Sequence, residues 1–304
     1  MTRPSPLRNR FRHAASVVAA AVGMMAWMAV AAEPDADPAV ALQARYTELT
    51  ERLQHSLFPQ PLVVESVEGR SAARGDVYAI VDHPVAVVSE ALTEPVNWCD
   101  ALLLHLNVKY CHPLAGGETA RLAVALGKKI DQPLNRTYRV EFVYGVAASR
   151  PDYVDIALYA RKGPLGTGNY RIALEAVGLE NDQTFIHLEY SYTFGFIGRL
   201  AMKMYLSGGG RGKVGFSTIG DPDDPEPQFI EGSRAALERN AVRYYLAIDA
   251  YLGSLSAPVP DRFEDSLERW FSATELYPRQ LYEVDRDAYF TMKRREYLRQ
   301  QTLQ

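Results

Sequence analysis

His187 and Glu189 sit two residues apart, flanked by Phe185 and Ser191 in the same alternating register. A strand carries such residues on one face. If that face lines an interior cavity, the imidazole and carboxylate could act as acid and base, or orient a ligand. If it faces water, they are the polar side of an ordinary strand. The stretch "YLSGGGRGKVGFST", residues 205–218, raises a different chemistry. A phosphate-binding loop needs glycine, four residues, then Gly-Lys-Ser/Thr. Counted around Gly212-Lys213, the first position is Ser207 and the last is Val214, so both ends fail. Arg199, Lys203, Arg211 and Lys213 still make this a basic region, and glycine-rich backbone can form anion-binding nests. Arg211 and Lys213 are therefore candidate headgroup contacts, the alternative being a solvated loop. Cys99, His105, Cys111 and His112 do not have the spacing of a zinc site. The two cysteines are either a disulfide or two buried thiols. No Gly-x-Ser-x-Gly or His-Glu-x-x-His occurs, and "DPDDPE" lacks the glycine and distal glutamate of a calcium loop. No metal or other cofactor is expected.

Several elements must position these groups. Leu42, Tyr46, Leu49 and Leu53 share one side of a helix over residues 41–57. Strand-like runs follow near 62–69 and 75–81. Pro84 and Pro95 then open two short helices, because proline's missing N–H costs nothing in a first turn. From residue 122 the period becomes two: Leu122 to Leu126, Tyr138 to Tyr144, Val154 to Leu158, Tyr170 to Leu174 and Ile186 to Phe194. The turns between them are "IDQPLN", "ASRPD", "RKGPLGTGN" and "LENDQ", so these runs form an antiparallel meander. Residues 196–206 read as a short helix. The longest helix, about 229–255, carries a stripe of Leu237, Ala241, Tyr244, Tyr245, Ile248, Leu252 and Leu255, with Arg234, Glu238, Arg239 and Arg243 off it. Residues 257–304 form a helical tail anchored by Phe263, Leu267, Trp270 and Phe271.

The chain begins with Arg3, Arg8, Arg10 and Arg12, then an apolar run from Ala14 to Ala32 with an Ala29-Val30-Ala31 exit. This is the pattern of a cleavable signal peptide over residues 1–31. The rival is an uncleaved anchor holding the protein at the membrane, since 19 apolar residues just span a bilayer. With 33 basic and 37 acidic side chains the net charge is −4; losing the four arginines leaves −8. That balance argues against a nucleic-acid partner. Export places the mature protein in the periplasm. The expected organisation is a leader and helix at 32–58, a main domain at 59–256 and the tail at 257–304.

The order strand, two short helices, antiparallel meander, long helix resembles the helix-grip fold of the START and SRPBCC superfamily, which includes the birch pollen allergen and polyketide cyclases. "GDVYAIVDHPVAVVSEALTEPVNWCD", residues 75–100, is the most similar stretch, and the resemblance covers about residues 60–255. It implies an α+β fold: a curved antiparallel sheet of about six or seven strands wrapped on a long C-terminal helix. It also implies an apolar tunnel between them that takes lipids, sterols, hormones or polyketides. No universal catalytic residues come with it. Tyr138, Phe142, Tyr144, Tyr170, Tyr190 and Tyr192 are the candidate walls, with Tyr244, Tyr245 and Ile248 facing them from the helix. The expected function is an exported carrier for an apolar ligand, a lipid. The alternatives are a cyclase- or hydrolase-type enzyme using His187 and Glu189, and an envelope-assembly protein whose tail docks a membrane surface or another protein.

Overall fold

The structure, a computed structural model, describes residues 37–116, 119–208, 210–219 and 227–302. The expected signal peptide lies outside them. Helix α1 (Pro38–Gln54) starts where the Asp37 carboxylate accepts the Ala39 N–H at 3.0 Å, with Pro38 in the first turn. Strands β1 (Leu62–Glu68) and β2 (Ala72–Val81) form a hairpin. Helices α2 (Val85–Leu92) and α3 (Pro95–Leu104) follow. The Leu92 carbonyl, freed at the end of α2, accepts the Trp98 indole N–H at 2.7 Å and the Tyr144 hydroxyl at 2.9 Å.

Six more strands complete the sheet: β3 (Val108–Leu114), β4 (Arg121–Leu126), β5 (Tyr138–Ser149), β6 (Tyr153–Lys162), β7 (Thr167–Gly178) and β8 (Thr184–Phe194). The order is β1-β2-β8-β7-β6-β5-β4-β3, antiparallel throughout. The sheet therefore has eight strands, one or two more than expected. The additional strand is the edge strand β3, whose sequence "VKYCHPL" hides its period: a bulge between Val108 and Tyr110 buries Lys109, and Pro113 interrupts the pattern.

Helix α4 (Phe196–Ser207) and a two-stranded ribbon, β9 (Thr218–Ile219) with β10 (Gln228–Phe229), lead to the long helix α5 (Gly232–Ser254). One face of the sheet packs on α5, with Val77, Ile172, Leu188 and Tyr190 against Leu237, Tyr244 and Ile248. This is the helix-grip arrangement. The other face packs on α1, where Tyr78, Tyr153 and Phe185 meet Leu42, Leu49 and Leu53.

The tail consists of α6 (Arg262–Glu275), α7 (Pro278–Leu281) and α8 (Arg286–Thr302). Leu267, Trp270, Phe271, Tyr289 and Met292 join the same core as the sheet and α5. Helix α5 is consequently enclosed on both sides. Glu238, Arg239 and Arg243, expected on a wet face, are fully buried. Cys99 on α3 and Cys111 on β3 form a disulfide with their Cα atoms 5.1 Å apart. Their sulfurs are bonded to each other, so neither is open as a metal ligand.

Candidate functional site

His187 and Glu189 point away from α5, because β8 gives its even-numbered residues to that helix and its odd-numbered ones to the α1 side. They are not paired with each other. The His187 ring lies between two other carboxylates, Nε2 at 2.8 Å from Asp76 and Nδ1 at 3.0 Å from Glu175. Tyr78 stacks on it at 4.6 Å. Burial opposes a charged ring here, but the bonds to Asp76 and Glu175 outweigh it and raise the histidine's pKa. Asp76 is lowered, its own burial being overcome by His187 and Arg74; Glu175 is lowered chiefly by His187. When protonated, a ring held this way donates both N–H groups and has no lone pair for a base's work. Glu189 instead accepts the Ser191 hydroxyl at 2.7 Å and lies 3.5 Å from Arg171. The expected acid–base pair is therefore part of an ion-pair network on the wrong face for the sheet–α5 interior.

Eight of the nine wall candidates reach the sheet–α5 interior. Phe142, Tyr144, Tyr190, Tyr244, Tyr245 and Ile248 are buried there, and Tyr170 and Tyr192 pack against them. Tyr138, at the open end of β5, is 49% exposed. The aromatic rings fill space by packing on one another: Tyr190 on Tyr244 at 5.3 Å, Tyr170 on Tyr192 at 5.3 Å, and His105 on Tyr244 at 4.3 Å.

Two cavities border the tail. One cavity of about 300 Å³ is lined by Leu106, Trp270, Phe271, Leu281, Glu283 and Val284. A second, of about 370 Å³, includes Lys129, Ile130, Val284, Met292 and Arg295. Both have a size that suits a small ligand. The sequence showed the aromatic anchors of α6 but not that the tail would cover Arg239 and Arg243 of α5.

Lys213 and Arg211 separate. Arg211 is exposed. Lys213 turns inward to Glu283 at 2.5 Å and the Tyr282 carbonyl at 3.1 Å. The glycines explain the turn. A Cβ on Gly210 would stand 2.6 Å from the Tyr205 ring, and Gly212 has φ +71°, in the region glycine favours. The loop is thus built to wrap Tyr205 and bring Lys213 in.

Helix α4 shows the opposite of burial. Phe196 is 81% exposed, Ile197 63%, Leu200 50% and Met204 68%. They form one stripe along the helix. The helix's charged side chains, Arg199 and Lys203, are both basic and exposed. Met204 faces out and Tyr205, the next residue, faces the interior charge cluster.

No family model matches the chain, and no curated protein matches it. Similar solved structures include human StAR-related lipid transfer protein 5 (10% identity, 55% of this chain and 90% of that chain, TM-score 0.31). The Zhui aromatase/cyclase of Streptomyces sp. R1128 is 12% identical over 71% of this chain and 96% of that one, TM-score 0.31. A truncated norcoclaurine synthase of Thalictrum flavum is 13% identical over 47% and 82%, again with TM-score 0.31. At such values the likeness carries nothing about ligand or chemistry, and the helix-grip arrangement rests on this chain's own strand order and its α5 packing.

Proposed function

We propose that the protein is an exported carrier that takes an apolar ligand, a lipid, from a membrane surface. The observation that carries this reading is α4. Four large apolar side chains on one face of a 12-residue helix stand in water beside Arg199 and Lys203. A soluble surface rarely leaves such a patch without use, and an apolar stripe flanked by cations is what an anionic bilayer surface binds. The membrane contact thus belongs to α4, whereas Leu267, Trp270, Phe271, Tyr289 and Met292 of the tail are spent on the core. The ligand's place moves from the aromatic wall to the cavity beside Trp270. The disulfide supports a non-reducing compartment, which agrees with periplasmic export.

The aromatic packing between sheet and α5, Tyr190 on Tyr244 and Tyr170 on Tyr192, favours a second reading, the envelope-assembly partner, for which no ligand is needed. Two measurements separate them. The protein purified from its native compartment is extracted with organic solvent and the extract identified. Wild type and a Phe196→Asp/Leu200→Asp/Met204→Asp variant are sedimented with phosphatidylglycerol vesicles. The carrier reading expects a lipid in the extract and vesicle binding that the variant loses. An extract without lipid, with vesicle binding equal in the two proteins, would sink it.

A further inference from the structure

Three cations converge on a single carboxylate beyond α5, and a fourth, Arg239, joins them through a tyrosine. Glu283, between α7 and α8, contacts Lys129, Lys213 at 2.5 Å and Arg243 at 2.9 Å. The Tyr205 hydroxyl accepts from Lys129 and from Arg239, each at 3.3 Å. Arg239 also donates to the Val214 carbonyl at 3.1 Å and Arg243 to that of Leu281 at 3.3 Å. Arg239 and Arg243 are fully buried, and Lys129 and Lys213 mostly so.

The charges do not balance. Among the described residues, Glu283 is the one carboxylate in contact with any of the four positive groups, an excess of three. Burial opposes the Tyr205 phenolate, but Lys129 and Arg239 outweigh it and lower its pKa. Even an ionised Tyr205 would leave an excess of two. Uncompensated charge away from water is costly. A second, independent observation points the same way: the Nε atoms of Arg239 and Arg243 are buried without a hydrogen-bond partner among the described residues. Guanidinium groups are suited to carboxylate and phosphate oxygens. The cluster also borders open space, since Glu283 and Val284 line the 300 Å³ cavity and Lys129 and Val284 the second.

We propose that Glu283 occupies a binding site for an anionic group, carboxylate or phosphate, at the head of an amphiphile. The ligand's head displaces Glu283 from Lys129, Lys213 and Arg243, and its chain lies beside Leu106, Trp270 and Phe271. Glu283 sits in a short non-helical segment, so it can leave without unwinding α7 or α8. In the empty protein it keeps the cations partly neutralised. The proposal rests on the ligand reading above, and its failure is separable from that reading's.

The test uses dodecanoate, dodecanol and inorganic phosphate as probes, titrated into wild type and Glu283→Gln by calorimetry. Dodecanoate should bind wild type about tenfold more tightly than dodecanol, and Glu283→Gln should widen the ratio toward about a hundredfold. Phosphate alone should raise the melting temperature of Glu283→Gln less than dodecanoate does. If Glu283→Gln does not fold, Lys213→Met, at the more exposed edge of the cluster, should narrow the wild-type preference while circular dichroism stays native. Equal affinities for dodecanoate and dodecanol in every folded protein would overturn the headgroup site and leave the apolar-ligand reading standing. Phosphate matching dodecanoate would overturn the amphiphile and leave a free-anion site. Binding of neither alkyl probe would remove both readings.

Discussion

Removing the Glu296 carboxylate from α8 tests how the tail is held to the sheet. Glu296 has no exposed side-chain surface and pairs with Lys293 at 2.7 Å and Lys109 at 3.0 Å, both equally buried. The ammonium groups also donate to carbonyls, Lys293 to His105 at 2.8 Å and Val108 at 2.9 Å, Lys109 to Leu106 at 2.8 Å. Glu296→Gln leaves two cations in an apolar interior with one carboxylate gone. Breaking a buried pair this way costs about 3–5 kcal/mol. The pH profile identifies the cause. Burial, with Lys109 adding to it and Glu296 opposing, lowers Lys293 to about 8; Lys109 is lowered too, again by burial first. A lysine depressed in the fold binds its proton more weakly there than in the unfolded chain. Its penalty is full below about pH 8 and is relieved as pH climbs toward the ordinary lysine value. A drop of roughly 2.5 pH units amounts to roughly 3 kcal/mol for Lys293. Stability should therefore rise by about 1 kcal/mol per pH unit from pH 8 to 9.5 for Lys293 alone, more steeply in Glu296→Gln, before tyrosines ionise in the unfolded chain. Urea denaturation at pH 7, 8, 9 and 9.5 measures this. A loss under about 1 kcal/mol, or one independent of pH, would refute the account. Lys109→Met/Glu296→Leu/Lys293→Met, which removes every charge, should return stability to near wild type.

Reducing the Cys99–Cys111 disulfide, or replacing both cysteines with alanine, should cost about 3 kcal/mol through the loop it closes, read by urea denaturation with and without reductant. Burial, reinforced by Asp82, raises Asp249 to about 6. A carboxyl raised in the fold adds stability at low pH that is lost as pH climbs from about 4 through 6, at most roughly 3 kcal/mol. Asp249→Asn should flatten its share of that profile, and an unchanged one would refute the assignment. Gly168→Ala should destabilise by about 1–3 kcal/mol, because its Cβ would stand 2.6 Å from the Arg161 carbonyl oxygen, a backbone atom with little room to yield.

Period and punctuation made most of the architecture readable. Proline fixed the starts of α2 and α3, alternation fixed five strands of the meander, and α1 begins at Pro38, three residues before its expected start. Helix α4 appeared within a residue of its bounds. Strand β3 escaped because a buried lysine and a proline stand where alternation needs apolar residues. The faces of β8 could not be assigned in advance, since Phe185 and Ile186 are both buried, one against α1 and one against α5. The largest gap was α5. Periodicity reports one apolar stripe, and Arg239 and Arg243 look like its wet side until the tail lies over them. Lys213 likewise reads as a surface cation, and only the return of Glu283 from 70 residues downstream gives it an interior partner.

Trp270 gives the molecule an optical property. The chain has three tryptophans, and Trp27 belongs to the segment expected to be cleaved. Trp98 is sealed in the core with its N–H on the Leu92 carbonyl. Trp270 stacks on Tyr289 at 4.7 Å, donates to the Arg243 carbonyl at 3.3 Å and lines the 300 Å³ cavity. Of the two emitters among the described residues, then, one is an unresponsive internal standard and the other borders the place where a ligand would lodge. Filling that cavity should shift the colour and intensity of emission from a single indole, and Trp270→Phe should darken the signal while leaving the reference glow of Trp98.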